Sequence, residues 1–334
     1  MPCDRITPLD PARLEATDRL PETLARYLGP RIIGAFHDED VTEVYVNPRD
    51  GAVRLDTRSR GKFDTGETLG AQRIELFLNA VATSVGLTLT ADHPRLQAEL
   101  PRATFHGSRL QAFIPPLTAA PAFTIRKPSS FVHTLDEYVE TGILASQQRD
   151  VLRSSIATHE NILVAGGTNS GKTTLANALL REIAEQFPRE RLVILEDTIE
   201  LQCIADDHVA LRTGPRVSLA ELVQSTLRTS PNRIIVGEVR GAEALDLLDA
   251  WATGHPGGVA TVHASSAEGA LARLDRLAQR ANVPPQAALV AEAIDLIVVI
   301  AGGNAGRRVT GLAQVKGLDD RGRYVLHHLT EQGS

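Results

Sequence analysis

Nine consecutive residues in the middle of the chain, Gly166, Gly167, Thr168, Asn169, Ser170, Gly171, Lys172, Thr173 and Thr174, have types and spacing that suit the binding of phosphate. Glycines at 166 and 171 let backbone N–H groups wrap phosphate oxygens. Lys172 brings a cation beside the β and γ phosphates, and the Thr173 hydroxyl suits a magnesium ion. The segment follows the apolar run NILVAG and precedes the helical pattern TLANALLREIAEQF, the strand-loop-helix setting this chemistry needs. The chain has only four lysines, and one of them stands here. A nucleoside triphosphate with Mg2+ is the cofactor set that follows.

Three further positions carry chemistry at the ends of apolar runs. Glu196 and Asp197 close RLVILED, and Glu238 closes RIIVGE. An unpaired carboxylate is expensive to bury, so these acids are expected to face a metal, water or an arginine. One acid would hold magnesium, with Glu238 the metal candidate beside Thr173, and another would orient or deprotonate an attacking water. Which acid has which role stays open, and an ordinary ion pair at a strand end is the plain alternative. His263 follows VATV and suits contact with a γ-phosphate or a neighbouring subunit, or else a structural histidine. His255, in the loop TGHPGG, is a weaker candidate, and His327 and His328 are expected to face solvent.

These residues must be positioned by a scaffold, and the pattern after residue 135 supplies one. Five short apolar runs begin at Asn161, Arg191, Arg233, Gly258 and Leu296, separated by helix-length segments, which is the grammar of an α/β fold with a mainly parallel sheet. Ligands of such sheets sit at the carboxyl ends of the strands, where the polar residues above lie. Ser218 with Glu221, and Ser265 with Glu268, read as capping boxes. The tail reads as a closing hairpin. Before residue 130 the pattern is α+β. Helix comes first, with a stop at Gly29-Pro30, then strands in VTEVYVNPRDGAVRLD, SRLQAFIPPL and AFTIRKP, and a helix near 71–85. The expected domains are 1–130, a linker at 131–145 with a boundary in KPSSFVHT, and an α/β domain carrying the phosphate-binding segment at 146–334.

Composition narrows the function classes. Hydrophobic residues make up 43% and charged residues 23% of 334, which fits a globular protein of about two domains. No run approaches the ~20 apolar residues of a membrane helix, and no signal peptide is visible, so a cytoplasmic location is expected. Cys3 and Cys203 are too few for a disulfide framework and are expected to be inert. The net charge of -6 disfavours direct nucleic-acid binding. Residues 95–127 nevertheless hold Arg95, Arg102, Arg109, Arg126 and Lys127 against the single acid Glu99, an island able to meet a phosphate.

The ordered set GGTNSGKTT, VILEDTIEL, LRTSPNRIIVGEVRGAEALDLLDAWATGHPGG and ATVHA resembles the Walker A, Asp box, Walker B and His box of the secretion ATPase superfamily. Within it, the closest likeness is to conjugal-transfer ATPases of the TrbB type, the traffic ATPases of type IV secretion. The resemblance extends to VTEVYVNP and to the GSR and TIRKP segments. It implies a RecA-like ATPase domain behind a smaller α+β domain, a homohexameric ring, and peripheral attachment at the inner membrane beside type IV secretion or mating-pair-formation proteins. It also implies roles. Lys172 and Thr173 match the phosphate-loop lysine and magnesium hydroxyl, Glu196 the acid that activates water, Glu238 the Walker B glutamate, and His263 the His-box histidine. Arg109 and Arg126 match arginines that reach the phosphates from the amino-terminal domain, and Arg240 is a further candidate for holding the site together. Asn169 and Asn232 stand where many relatives have Gly and Asp. A type II secretion or type IV pilus motor is the nearest rival, although two distant cysteines cannot form the four-cysteine module of many such motors. A DNA translocase is a rival of another class.

Overall fold

The computed structural model describes residues 11–128, 132–214, 216–302 and 306–331, with side chains described for 19–329 within them. Cys3 and part of the expected KPSSFVHT boundary lie outside the described residues. The chain divides after residue 130 into two compact units.

In the first unit, α1 (Pro11–Leu28) and α2 (Pro30–His37) are separated by Gly29, whose positive φ ends one helix while Pro30 starts the next. Then come β1 (Val41–Val46), β2 (Ala52–Thr57), β3 (Gly61–Thr68), α3 (Ala71–Ser84), β4 (Arg95–Glu99), α4 (Arg102–Phe105), β5 (Arg109–Phe113) and β6 (Ala122–Arg126). The strands form an antiparallel sheet in the order β3-β2-β1-β6-β5-β4. Its core joins Leu24 and Leu28 of α1 and Phe77, Leu78 and Val81 of α3 to Val44, Leu110, Phe123 and Ile125 of the strands. The sequence pattern misses β3 and β4. The first alternates exposed and half-buried positions without a run of apolar residues, and the second is only five residues long.

The second unit contains α5 (Leu135–Glu140), α6 (Ser146–Ala157), β7 (Ile162–Gly166), α7 (Lys172–Gln186), β8 (Leu192–Glu196), β9 (His208–Arg212), α8 (Leu219–Thr226), β10 (Arg233–Val236), α9 (Glu243–Ala252), β11 (Val259–His263), α10 (Ala267–Ala278), α11 (Ala287–Ala293), β12 (Leu296–Ala301), β13 (Arg308–Leu318) and β14 (Tyr324–Glu331). The sheet order is β14-β13-β12-β7-β11-β10-β8-β9, parallel from β12 through β9 and closed by an antiparallel hairpin. Successive side chains alternate between two cores. Leu163, Ala165, Val193 and Leu195 pack against the α8–α11 side, and Ile162, Val164, Leu192 and Ile194 against α5–α7. Both faces being covered, the central strands are buried along nearly their whole length and read as apolar runs, and the α/β fold with a mainly parallel sheet is observed.

Three expectations are corrected. The 131–145 linker holds α5, whose Thr134–Glu137 capping box starts a helix that buries Leu135 and Tyr138, with Leu144 beyond it, in the core of the second unit. The strand β9 lies unforeseen at the sheet edge. The cap of α10 is Ser266, accepting from Gly269 N at 3.0 Å, because the helix begins at the buried Ala267; Ser265 and Glu268 form no box. No helix among the described residues is long and apolar enough to cross a membrane.

At the amino ends of the strands, Arg233 is fully buried. Its Nε donates to Glu190 at 2.5 Å, its terminal nitrogens donate to Gly257 O and Ile156 O at 3.1 and 3.3 Å, and its guanidinium lies 4.7 Å from the Phe187 ring centroid. His159 approaches the other Glu190 oxygen at 2.6 Å. Removing one partner of a buried pair leaves an uncompensated charge, which costs about 3–5 kcal/mol. Glu190→Ala is therefore expected to lower the unfolding free energy by about that amount in a denaturant titration. A change below about 1 kcal/mol would show that the carbonyls and Phe187 suffice.

Candidate functional site

The phosphate loop is built by the end of β7 and the start of α7. Gly166 closes the strand, and a Cβ there would collide with the Ser170 hydroxyl and come within 2.5 Å of Ile300 O, so only glycine fits. Asn169 and Gly171 adopt left-handed backbone at φ 59° and 99°, conformations that Asn and Gly tolerate. Residues 167–169 form the exposed tip, and Ser170 is buried with its hydroxyl donating to Gly167 O at 2.9 Å. Lys172 is buried, and its ammonium donates to Gly166 O at 3.0 Å and Gly167 O at 2.8 Å. The loop is thus curled around a cation. On its other side, a Cβ on Gly302 would lie 2.9 Å from Ser170 Cα, and the Arg307 side chain passes over Gly171, with Cδ 3.1 Å from where a Cβ would stand.

The strand ends converge beside this loop. His263, the last residue of β11, pairs in register with Gly166 of β7. Its Nδ1 lies 3.3 Å from Lys172 Nζ and its Nε2 lies 2.7 Å from Glu238 Oε1, a charge contact without hydrogen-bonding geometry. An ammonium only donates, so Nδ1 is the acceptor and Nε2 carries the ring proton; that tautomer follows from the partners. Desolvation pushes the His263 pKa down. Glu238 pulls it up, but the charges of Lys172, Arg240 and Arg273 add to desolvation and hold it below the ordinary histidine value. Glu238 is partly buried, which pushes its carboxyl up. The Arg240 hydrogen bond and charge, with His263 and Lys172, outweigh burial and hold it below the usual carboxylate range. Arg240 donates to Glu238 Oε2 at 2.5 Å and stands 4.0 Å from Asp197.

Glu196 and Glu238 are arranged differently. Glu196 is buried, and its Oε1 accepts from the backbone N–H groups of Glu200 and Leu201, each at 2.9 Å. It folds the 197–201 segment back over the strand end, with Gly237 leaving the space for its side chain. The carboxylate presented to the loop is Glu200, whose Oε2 accepts from the Thr173 hydroxyl at 3.1 Å. Asn177 of α7 fastens this segment by donating to Glu200 O at 3.3 Å and accepting from Gln202 N at 2.8 Å. Glu200 stands in VILEDTIEL but is not among the acids that end an apolar run. The available signal was that Glu196 belongs to the buried strand, whereas Glu200 lies past its end.

Other candidates lie elsewhere. His255 follows α9 at the amino ends of the strands, away from the phosphate loop, as does Asn232, whose Oδ1 accepts from Arg191 N at 2.8 Å. His327 and His328 are exposed. Cys203 is half-buried with its thiol pushed up by desolvation. In the first unit, Arg109 of β5 sits directly across from Arg126 of β6, and the cross-strand row continues to Glu99 on one side and Glu43 on the other. The basic island therefore has flanking carboxylates. Lys127 does not belong to it: its ammonium donates to Ala35 O and Asp38 O at 3.2 and 2.5 Å at the end of α2. A cleft of about 590 Å³ beside Arg240, lined also by Asp197, Thr213, Arg216, Ser218 and Glu243, includes no phosphate-loop residue.

Residues 30–302 match the family model described as type II/IV secretion system protein. The chain is 42% identical over 322 residues to a probable conjugal transfer protein TrbB of Sinorhizobium fredii, covering 96% of this chain and 97% of that one. It is 32% identical over 271 residues to the type IV secretion system protein VirB11 of Brucella suis, covering 71% and 73%. Among solved structures, the Legionella pneumophila ATPase DotB shares the fold, with a TM-score of 0.61 at 21% identity over 91% of this chain and 82% of that one.

Lys172→Ala removes the only ammonium inside the loop. Charge-assisted hydrogen bonds are worth about 1.5–3 kcal/mol, so polyphosphate affinity is expected to fall at least roughly tenfold. Titration with a fluorescent nucleotide checks this, and unchanged affinity would remove the loop from phosphate binding.

Proposed function

The chain belongs to the type II/IV secretion system protein family, and on that premise we propose that it is an ATPase that powers conjugal transfer through a type IV secretion apparatus. The observation that carries the proposal is the convergence on one phosphate loop of a lysine, a histidine and the carboxylates Glu200 and Glu238, from the ends of adjacent parallel strands and the segment that follows β8.

The residues divide the work as follows. Backbone N–H groups of 167–173 and Lys172 bind the β and γ phosphates, the ammonium exchanging its loop carbonyls for phosphate oxygens. Thr173 and Glu238 would supply hard oxygen donors of the kind Mg2+ takes, and Glu200 lies 3.1 Å from the Thr173 hydroxyl. Magnesium bound there would supply positive charge to offset the charge of the phosphate oxygens. Glu200 orients the attacking water and takes its proton, the water oxygen bonds to the γ phosphorus, and the bond to the bridging oxygen breaks to release ADP and phosphate. Glu196 holds the segment that presents Glu200, and so supports the base rather than being it. His263 and Glu238 stand where the γ-phosphate would change the partners of Lys172.

Arg109 and Arg126 contribute from the separate amino-terminal unit. A guanidinium binds a phosphate anion through charge-assisted hydrogen bonds. The γ-phosphate of ATP is that anion when the units close, and hydrolysis releases them. In a homohexamer the opening and closing becomes a stroke delivered to secretion proteins at the cytoplasmic face of the inner membrane.

Steady-state ATP turnover by the purified chain tests the activity. Glu200→Gln should retain nucleotide binding and lose about 10²–10⁴-fold in turnover, the usual contribution of a general base. Glu196→Gln, whose amide oxygen still accepts from the two N–H groups, should lose less; parental turnover in Glu200→Gln would return the role to Glu196 or Glu238. Arg109→Ala and Arg126→Ala should each lower turnover roughly tenfold with the melting temperature kept. Solution scattering should show a hexamer that compacts with a non-hydrolysable ATP analogue, and a monomer with nucleotide present would remove the ring.

A further inference from the structure

Glu243 has no place in the chemistry described above, yet it is a buried carboxylate at the first position of α9. A glutamate there ordinarily favours the helix N-terminus by charge alone. Its bonds go elsewhere. Oε1 accepts from Arg240 N and Gly241 N, each at 2.7 Å, and those amides precede the helix. Oε2 occupies the space of the missing Gly241 side chain, where a Cβ would stand 2.7 Å away. The carboxylate thus grips the turn that leaves β10 rather than the helix it begins.

The gripped turn carries Arg240. Its backbone is fixed on both sides, with N held by Glu243 and O accepting from Arg280 at 2.8 Å. Just upstream, Val239 N donates to Thr261 O at 2.9 Å. With the backbone held, the guanidinium reaches Glu238 at 2.5 Å, and Glu238 in turn faces His263 and through it Lys172. Five side chains therefore run in series from the start of α9 to the phosphate loop. The Arg240 side chain is half exposed beside the open cleft, so its own stem gives it little confinement. An exposed long side chain holds one geometry only when something else fixes it.

We infer that Glu243 is a positioning residue for ATP hydrolysis, acting through the Arg240–Gly241 backbone to keep the Arg240 guanidinium on Glu238. The inference rests on the ATPase proposal. Its consequence is a split between binding and turnover. Lys172 and the loop amides hold nucleotide without Glu243, so KM stays near the parent value. The geometry of Glu238 and His263 deteriorates, so kcat falls by about 10- to 100-fold, the usual loss when a supporting partner of a reactive group is removed.

The experiment compares Glu243→Ala, Glu243→Gln, Gly241→Ala and Arg240→Ala with the parent in kcat, KM and melting temperature, and follows hydrogen exchange at the Arg240 and Gly241 amides. Glu243→Ala should lower kcat, spare KM and speed exchange at both amides. Glu243→Gln, still an acceptor, should restore most of both. Gly241→Ala pushes the carboxylate aside without removing it and should reproduce Glu243→Ala, which keeps the test open if Glu243→Ala does not fold. Adding Glu243→Ala to Arg240→Ala should change kcat by less than about twofold, since interacting residues are not additive. Parental kcat in both Glu243→Ala and Gly241→Ala, a matching rise in KM, or full additivity with Arg240→Ala overturns the inference. A parent that binds nucleotide without hydrolysing it overturns the ATPase proposal instead, and exchange then still decides whether Glu243 grips the turn.

Discussion

The parallel register of four adjacent strands is the constraint on which the site depends. His263 lies beside Gly166, and Val236 lies beside both Ala260 and Leu195, so the polar groups that follow β7, β11, β10 and β8 emerge at one level. A slip of one residue would turn each side chain to the opposite face and send His263 into a core. The register is protected because both faces are filled. Trp251 of α9 shows how tightly: its indole donates to Ile234 O at 3.1 Å and occupies the space that a Gly258 side chain would need. Packing on the helical faces thus sets the distances between ionisable groups at the strand ends.

That arrangement accounts for what the sequence could and could not disclose. Apolar runs covered on both faces leave a strong signal, so the parallel strands, the phosphate loop and the polar strand ends were legible from residue types alone. The edge strand β9 was not, because it alternates exposed and half-buried residues and rests on a single neighbour. The division of labour among the acids was hidden for a different reason. Glu196 and Glu200 stand close together in one acidic segment, and only the folded backbone decides which one turns inward. Glu196 ends the strand and accepts two amide protons; Glu200, past the turn, is left to meet Thr173. Glu243 was hidden for the same reason, since a glutamate opening a helix reads as a charge for the helix dipole until its oxygens are seen on the preceding turn.

The two ends of the parallel sheet are treated oppositely. At the amino ends, Arg233 is wholly buried and each of its three side-chain nitrogens has an acceptor. At the carboxyl ends, the charged groups share partners. Lys172 divides its ammonium between two carbonyls and a ring nitrogen, and Glu238 divides its oxygens between an arginine and a histidine. A fully satisfied buried network resists change, because moving any member strands a charge in a low-dielectric interior. A partly exposed network with shared partners can exchange one of them for a phosphate oxygen at little expense.

The phosphate loop joins these two regimes. Its carbonyls pair the buried Lys172 ammonium, so the proposed binding of an anion would substitute one set of oxygens for another rather than create a charge in the interior. Under the proposed function His263 would register that substitution, since a lysine drawn toward phosphate leaves its Nδ1 and removes one of the positive charges that disfavour ring protonation. The change would be felt next at Glu238 and then at Arg240, on a turn whose backbone Glu243 does not allow to follow. If Glu243 holds that turn as inferred, the response would be confined to side chains, and the strand ends would keep the spacing on which the next exchange depends.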